Sequence, residues 1–345
     1  MPGGIGNHAE NLGLALHEKM YQVTILVFDR GKKCHEWTEY DRSKPYRVIR
    51  VERSKNVFVS YYQRIKNIRK ESRSNDFIVL SGKSALWMQL FMNKAATAVL
   101  HGSELLLQNK GLRYLTNKAI SKTKNSIAVS NFTKGLLDIK LQPQCVVINN
   151  GVNLEEFDLQ VKTKSKPIDF ITVGTIHQRK GQHNVIAALP ALLARFENCH
   201  YHMVGINNNS TELKHQIKEL KLDARVTIYG SLKRERMLEK VKECTIGIML
   251  SENTGNGDVE GFGISLIEAN AMGLPTIGSK GTGIEDAIRN NFNGVLVEAK
   301  TVDEIVGAVE IIINDYEQYS KNAIAFAEQC SWHLRVDDYI KQIES

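Results

Sequence analysis

The sequence predicts an α/β protein of two consecutive doubly wound domains, and three observations carry that expectation. At 345 residues the chain exceeds one ordinary hydrophobic core and suits two domains of about 150 to 190 residues each. Short runs of Val, Ile, Leu and Thr recur along it, separated by segments with apolar residues at three- and four-residue spacing. Runs apolar throughout, alternating with helices, describe parallel strands covered on both faces. Third, the polar stretch QVKTKSKP at 160–167 interrupts this rhythm, which then restarts.

In the first half the expected strands are QVTILVF (22–28), DFIVLS (76–81), ATAVLH (96–101), SIAVS (126–130) and CVVINN (145–150). The helical spacing falls at 7–19, 83–93, 111–124 and 132–139. Beyond the interruption, strands are expected at 168–174, 200–205, 225–230, 245–251, 275–279 and 294–298, with helices over 302–314 and 317–344. Domains of 1–158 and 159–330 follow. Two Rossmann-like sheets in tandem form a cleft at the carboxyl ends of their strands, where ligands of such sheets bind.

Composition narrows the class. With 42% apolar and 24% charged residues, six prolines and no repeat or low-complexity tract, disorder is excluded. Cysteines at 34, 145, 199, 244 and 330 form no C-x-x-C pair, which argues against a zinc site or a disulfide framework and fits a reducing cytoplasm. No signal-like start and no apolar run of membrane-spanning length is found.

The net charge of +7 is unevenly spread: residues 1–150 hold 24 Lys and Arg against 11 Asp and Glu, and the remainder 21 against 27. Within 42–73 there are 11 basic and two acidic residues, interleaved with Tyr46, Phe58, Tyr61 and Tyr62. This is either a surface for an anionic partner or a solvated basic face.

Chemistry concentrates in a few stretches. After the strand at 168–174, TIHQRKGQ sets Arg179 and Lys180 before Gly181 at a helix start. A forked guanidinium, a point charge and a helix N-terminus together suit a diphosphate; alone, the same residues read as a solvated loop. VEGFGISLIEA (259–269) places Glu260 before and Glu268 inside a helix, with Gly261 and Gly263 at the junction. Bare amides from Gly263 onward suit phosphate, and ionised carboxylates suit sugar hydroxyls, so Glu268 is assigned to a ribose and Glu260 to a hexose. The alternative is dipole compensation by Glu260 and a solvated turn at Glu268. GGIGNH, with glycines at 3, 4 and 6, precedes a helix, and His101 opens HGSEL after a buried-type strand. Gly3, Gly4 and His101 are candidates for phosphate or sugar contacts, a lone His at a strand end being more often structural.

Taken together, GGIGNHAENL, LHGSEL, VSNFTK, VINNGVNLEEF, VGTIHQRKGQ, EGFGISLIEANAMGLPTIGS, NGVLV and SWHLRVDDYI resemble glycosyltransferase family four, retaining enzymes of the GT-B fold, over nearly the whole chain. The E-x7-E segment and the RKG turn are the most specific parts. The resemblance implies a UDP- or GDP-linked sugar donor with Arg179 and Lys180 on its diphosphate, Glu268 on the ribose, and Glu260 with the amides of Gly261, Phe262, Gly263 and Ile264 on the sugar and phosphates. It implies His101, Gly3 and Gly4 in the pocket, a base site at Tyr229, Gly230 and Leu232, no metal and no other cofactor. Front-face substitution needs no protein nucleophile, and the final segment, 331–345, is implied to cross back to the first domain.

Two departures stand out. Thr175 occupies the position where many relatives carry an Arg, and Arg179 is expected to supply that guanidinium. Relatives also begin with a strand ahead of the glycine-rich turn, whereas MPGGIG starts at the turn, so the first domain is expected to lack its first, central strand. Met1 is on this reading an internal methionine of a longer protein or the start of a truncated one.

The leading expectation is therefore a glycosyltransferase acting on a glycan or glycolipid acceptor, cytoplasmic and peripheral on an anionic membrane through residues 42–73. The competing expectation is a catalytically impaired nucleotide-sugar-binding protein of the same fold. Nucleic acid is not an expected partner, because no recognition motif accompanies the charge.

Overall fold

The computed structural model describes residues 3–28, 37–52, 54–164, 167–206, 210–255 and 257–345. Met1, Cys34 and Arg53, all within stretches singled out above, lie outside the described residues. In chain order the elements of the first half are α1 (Gly4–Glu18), β1 (Thr24–Phe28), α2 (Thr38–Arg42), β2 (Arg47–Val51), α3 (Val57–Ser74), β3 (Val79–Ser81), α4 (Lys83–Leu86), β4 (Thr97–Leu100), α5 (Lys110–Ile120), β5 (Asn125–Ala128), α6 (Asn131–Gly135) and β6 (Cys145–Val147). There follow β7 (Ile168–Val173), α7 (Gln182–Phe196), β8 (Cys199–Val204), α8 (Ser210–Glu219), β9 (Val226–Gly230), α9 (Arg234–Glu243), β10 (Ile246–Met249), α10 (Ile264–Ala271), β11 (Thr276–Ser279), β12 (Gly294–Val297), α11 (Val302–Asn314), α12 (Tyr316–Gln329) and α13 (Trp332–Glu344).

Two compact units result, one of residues 1–129, 133–151 and 332–345, the other of 130–132 and 152–331. The chain changes unit between Gly151 and Val152, ahead of the 158/159 boundary expected from the polar stretch. The reason is local: Val152 N–H donates to Cys330 O (2.9 Å), and Phe157 packs into an apolar cluster of the second unit.

The second unit holds one six-stranded parallel sheet in the order β12-β11-β10-β7-β8-β9. Its strands are short apolar runs, and Phe170, Ile246, Ile248 and Ile277 are fully buried between helices. Strand order reverses between β7 and β10, the topological switch point at which a doubly wound sheet usually takes its ligand.

The first unit is different. Its strands form a four-stranded parallel sheet, β3-β4-β5-β6, and a separate parallel pair, β1-β2. Among the described residues β1 has no partner on its other edge and neither does β3, which is the arrangement expected of a sheet lacking its central strand. Every residue of β1 is accordingly half-buried, whereas β4 is buried throughout. Leu26 and Phe28 still pack against the cluster containing Leu80, Met88 and Met92. Helix α13 packs on α1, with Tyr339 OH bonded to His8 Nε2 at 2.9 Å.

Several element expectations are corrected. The helix expected over 83–93 is α4 followed by a 3-10 turn, Trp87–Phe91. The single helix over 317–344 is two, because the chain breaks at Cys330 and Ser331, where Ser331 bridges to Val152. The basic stretch 42–73, read only as charge, contains β2 and most of α3. It is not a uniform cationic face: Lys44 pairs with Glu10, Arg47 with Glu71, and Arg50 forks onto Asp41.

One glycine fixes how the loops after β7 and β10 meet at this switch point. Gly181, at φ 70°, ends a 3-10 turn and starts α7, and a Cβ there would lie 1.6 Å from Leu250 O, just beyond β10. Only glycine lets the loop after β7 pass this close to the end of β10.

Two outcomes are expected. In hydrogen exchange, the amides of β1 lose protection at least about tenfold faster than those of β5, since an unpaired edge opens without breaking the sheet; equal protection would show that the edge is covered. Gly181→Ala costs about 3 kcal/mol or more in a urea melt, because left-handed strain and a backbone overlap add; a loss under about 1 kcal/mol would mean the turn relaxes freely.

Candidate functional site

The loop after β7 brings two cations to the switch-point end of the second unit's sheet. His177 caps the Gln178–Lys180 turn through its ring, accepting from Arg179 N–H at 3.3 Å. Lys180 then reaches over the end of β10, its Nζ 2.7 Å from Glu260 Oε2 and 3.7 Å from Met249 Sδ. Arg179 binds the same carboxylate oxygen through Nη1, and its Nε lies 3.0 Å from Asp258 Oδ1. Glu260 is 8% exposed. Burial alone would raise its carboxyl, but Lys180 and Arg179 override that and hold it below the usual carboxylate range. Glu260 is thus an ionised group aimed by two cations.

From Glu260 the chain runs into α10. Phe262, 2% exposed, anchors the approach, and Gly263 takes φ 92° as the N-cap. No side chain caps this helix. Its amino end, with the donors and partial positive charge of the first turn, therefore sits beside Glu260. The carbonyl of Glu260 accepts from Gly283 N–H at 2.9 Å, tying the loop that follows β11 to the same place.

Glu268, inside α10 and 9% exposed, belongs to a second cluster. Its Oε1 is 2.8 Å from Arg234 Nη2, and Arg234 also contacts Glu156 Oε2 at 2.9 and 3.1 Å. The guanidinium lies over the Phe157 ring, 5.5 Å from its centroid. Burial still raises the Glu268 carboxyl in spite of Arg234. Tyr229 and Leu232, like Phe157, pack against the buried cluster that contains Ala269, Met272 and Leu274, and Gly230 O accepts from Gly205 N–H at 2.9 Å.

The remaining candidates lie on the first unit. Gly3, at φ 93°, caps α1, and Gly4 is its first residue. His101 follows β4, its Nε2 2.8 Å from Ser81 Oγ and its ring edge-on to His8 at 5.0 Å between centroids. Burial pushes the His101 imidazole down to about 4 and, with His101 adding to it, lowers His8 well below its ordinary value. Both rings are neutral at pH 7. Glu104 Oε1 accepts from His101 N–H at 2.6 Å and fixes the turn.

The structure thus brings Arg179, Lys180 and Glu260 into direct contact, continues from them through Gly261, Phe262, Gly263 and Ile264, and sets Glu268 in a neighbouring ion pair. Sequence reasoning missed Asp258, Arg234 and Glu156. Arg234 did leave a signal: a cation at the first position of α9 opposes the helix dipole and calls for local acids. Among the described residues no group of three or more His, Cys, Asp or Glu is placed to hold a metal ion, and no helix is long and apolar enough to cross a membrane.

Comparison with known proteins agrees with this architecture. The profile of "Glycosyltransferase Family 4" matches residues 2–156 and that of "Glycosyl transferases group 1" matches residues 155–329. An uncharacterized glycosyltransferase of Methanocaldococcus jannaschii is 24% identical over 343 residues, covering 96% of this chain and 91% of the relative. A GDP-mannose-dependent α-(1-6)-phosphatidylinositol monomannoside mannosyltransferase of Mycobacterium tuberculosis is 27% identical over 141 residues, 41% of this chain and 37% of that protein. The crystal structure of Anabaena HepE in complex with UDP and glucose superposes with a TM-score of 0.78 at 19% identity, covering 100% of this chain and 97% of HepE. With two tandem parallel-sheet units and the two family profiles together matching residues 2–329, the chain belongs to the group 1 glycosyltransferases of family four and has the GT-B fold.

Proposed function

We propose that this protein transfers a hexose from a UDP- or GDP-linked donor onto a glycan or lipid-linked acceptor, with retention at the anomeric carbon. The observation that carries the reading is the grouping of Lys180, Arg179 and Glu260 beside the uncapped N-terminus of α10. A nucleoside diphosphate leaves with growing negative charge, and fixed donors in a half-buried site stabilise that charge without reorganising. Arg179 is shared between Glu260 and Asp258, so Lys180 takes the leaving diphosphate and Arg179 chiefly aims Glu260. The charge at the leaving group comes from Lys180, Arg179 and the helix end, and no metal is assigned.

Glu260 accepts from a sugar hydroxyl, Glu268 from the ribose, and the segment from Tyr229 through Gly230 to Leu232 offers backbone groups to the base. His101, Gly3 and Gly4 are assigned to the sugar and phosphate on the strength of the family resemblance. As a neutral ring, His101 serves as a hydrogen-bond partner and not as a cation. The departing phosphate removes the acceptor proton, so no side chain acts as nucleophile. Relatives named for a phosphatidylinositol mannoside and for amylovoran biosynthesis support a lipid-linked or polysaccharide acceptor.

We assign membrane docking to α3. Phe58 and Tyr62 are 85% and 66% exposed, and Lys66, Lys70 and Arg73 are exposed further along the same helix. Aromatic insertion with cationic attraction suits the surface of an anionic bilayer. A second reading, nucleotide-sugar binding without turnover, is favoured by the divided sheet of the first unit.

A panel of nucleotide sugars screened by thermal shift, followed by a donor-consumption assay, tests the proposal. One donor is expected to raise the melting temperature and to be consumed, and Lys180→Ala to lower turnover at least about a hundredfold with an unchanged circular dichroism spectrum. Stabilisation without consumption supports the second reading; no stabilisation by any donor sinks both. In flotation with phosphatidylserine vesicles, binding is expected to fall as salt rises and to be lost in a Phe58→Ser, Tyr62→Ser variant. Binding indifferent to salt and to both substitutions would remove α3 from that role.

A further inference from the structure

Arg234 is the unexplained cation of the second unit. It opens α9, where the helix dipole disfavours positive charge, yet it is tied down on three sides. Its Nη2 is 2.8 Å from Glu268 Oε1, its Nε and Nη2 both reach Glu156 Oε2, and its guanidinium covers Phe157. Glu156 is 40% exposed and Glu268 only 12% by side chain, so the bridge runs from the surface into the interior. The two carboxylates come from segments far apart in sequence, the 3-10 turn Leu154–Glu156 and α10. Nothing else described for Glu268 is a hydrogen-bond donor.

Resting on the reading of Glu268 as the ribose carboxylate, we propose that Arg234 is a positioning residue that sets ribose selectivity. It grips Glu268 Oε1 and leaves Oε2 to accept from the ribose hydroxyls, with Glu156 and Phe157 holding the guanidinium in register. A carboxylate can accept from a diol only while ionised and correctly turned. Burial works against ionisation here, because the Glu268 carboxyl is already raised with Arg234 in place, so removing the guanidinium raises it further. Other cations of this unit do not substitute: Arg179 and Lys180 are engaged by Glu260, and Lys240 pairs with Glu243.

The sign of the pH effect follows. With a higher Glu268 pKa, the protonated form spreads upward from acid toward neutral pH, and ribose recognition is lost as pH falls through that range. Lysine at 234 keeps a charge but not the fork, so it restores ionisation while aiming the carboxylate poorly.

The test is calorimetric binding of UDP and GDP, each against its 2′-deoxy form, between pH 6 and 8. Wild type is expected to prefer the ribose form by at least about tenfold, the size of a hydrogen bond to a charged acceptor. Arg234→Met should bring that ratio close to one and make ribonucleotide binding weaken as pH falls. Arg234→Lys should recover pH-independent binding with an intermediate ratio, and Glu156→Gln should lower the ratio less than Arg234→Met. Should Arg234→Met fail to fold by circular dichroism, the Lys and Glu156 variants carry the same comparison. A wild type that discriminates, with Arg234→Met or Arg234→Lys and Glu156→Gln discriminating equally at every pH, overturns the role of Arg234 alone. A wild type that binds no nucleoside diphosphate, or both sugars equally, overturns the assignment of Glu268 to ribose and this inference with it.

Discussion

The switch-point end of the second unit's sheet depends on one buried ionic contact, Glu260 held between Lys180 and Arg179. A carboxylate withdrawn this far from water costs several kcal/mol unless it is well paired. Three separate pieces of chain supply what it needs. Gly181 bends the loop after β7 so that both cations arrive, β10 gives them a floor in Met249, and Gly283 N–H after β11 clamps the Glu260 carbonyl. Folding therefore fixes these polar groups in place, which is the preorganisation that the proposed transfer requires. With Asp258 on Arg179, two cations face two carboxylates, so the cluster is close to charge balance.

The two units solve the same architectural problem unequally. In the second, β7 and β10 lie side by side in the middle of six continuous strands. The first places His101 after β4, an interior strand of a sheet divided in two, and leans on α13 to complete its packing through Trp332 and Tyr339 against His8. The neutral His8–His101 pair follows from that enclosure, since burial removes the charge from both rings.

Much of the fold was legible because strands buried on both faces leave apolar runs, as at 168–173 and 246–249. β2 was not, because its short apolar run is interrupted by Arg47 and Arg50, which find acids only in three dimensions. The break between α12 and α13 was hidden by uninterrupted helical spacing on both sides of Cys330. Within the site, Glu260, Arg179 and Lys180 stood out as paired charges in apolar or glycine-rich settings. Asp258 and Arg234 did not, since each acquires meaning from a partner supplied by another loop: Arg179 for one, Glu156 and Glu268 for the other.

The divided sheet also bears on how this protein behaves in a concentrated sample. Among the described residues β1 and β3 each have one edge with no strand paired to it, and such edges are templates for cross-molecular pairing. What opposes such sticking is mutual repulsion, because the first 150 residues carry 24 cationic side chains against 11 anionic ones. Added electrolyte weakens that guard within a Debye length of roughly 8 Å, so colloidal stability here is best in dilute buffer.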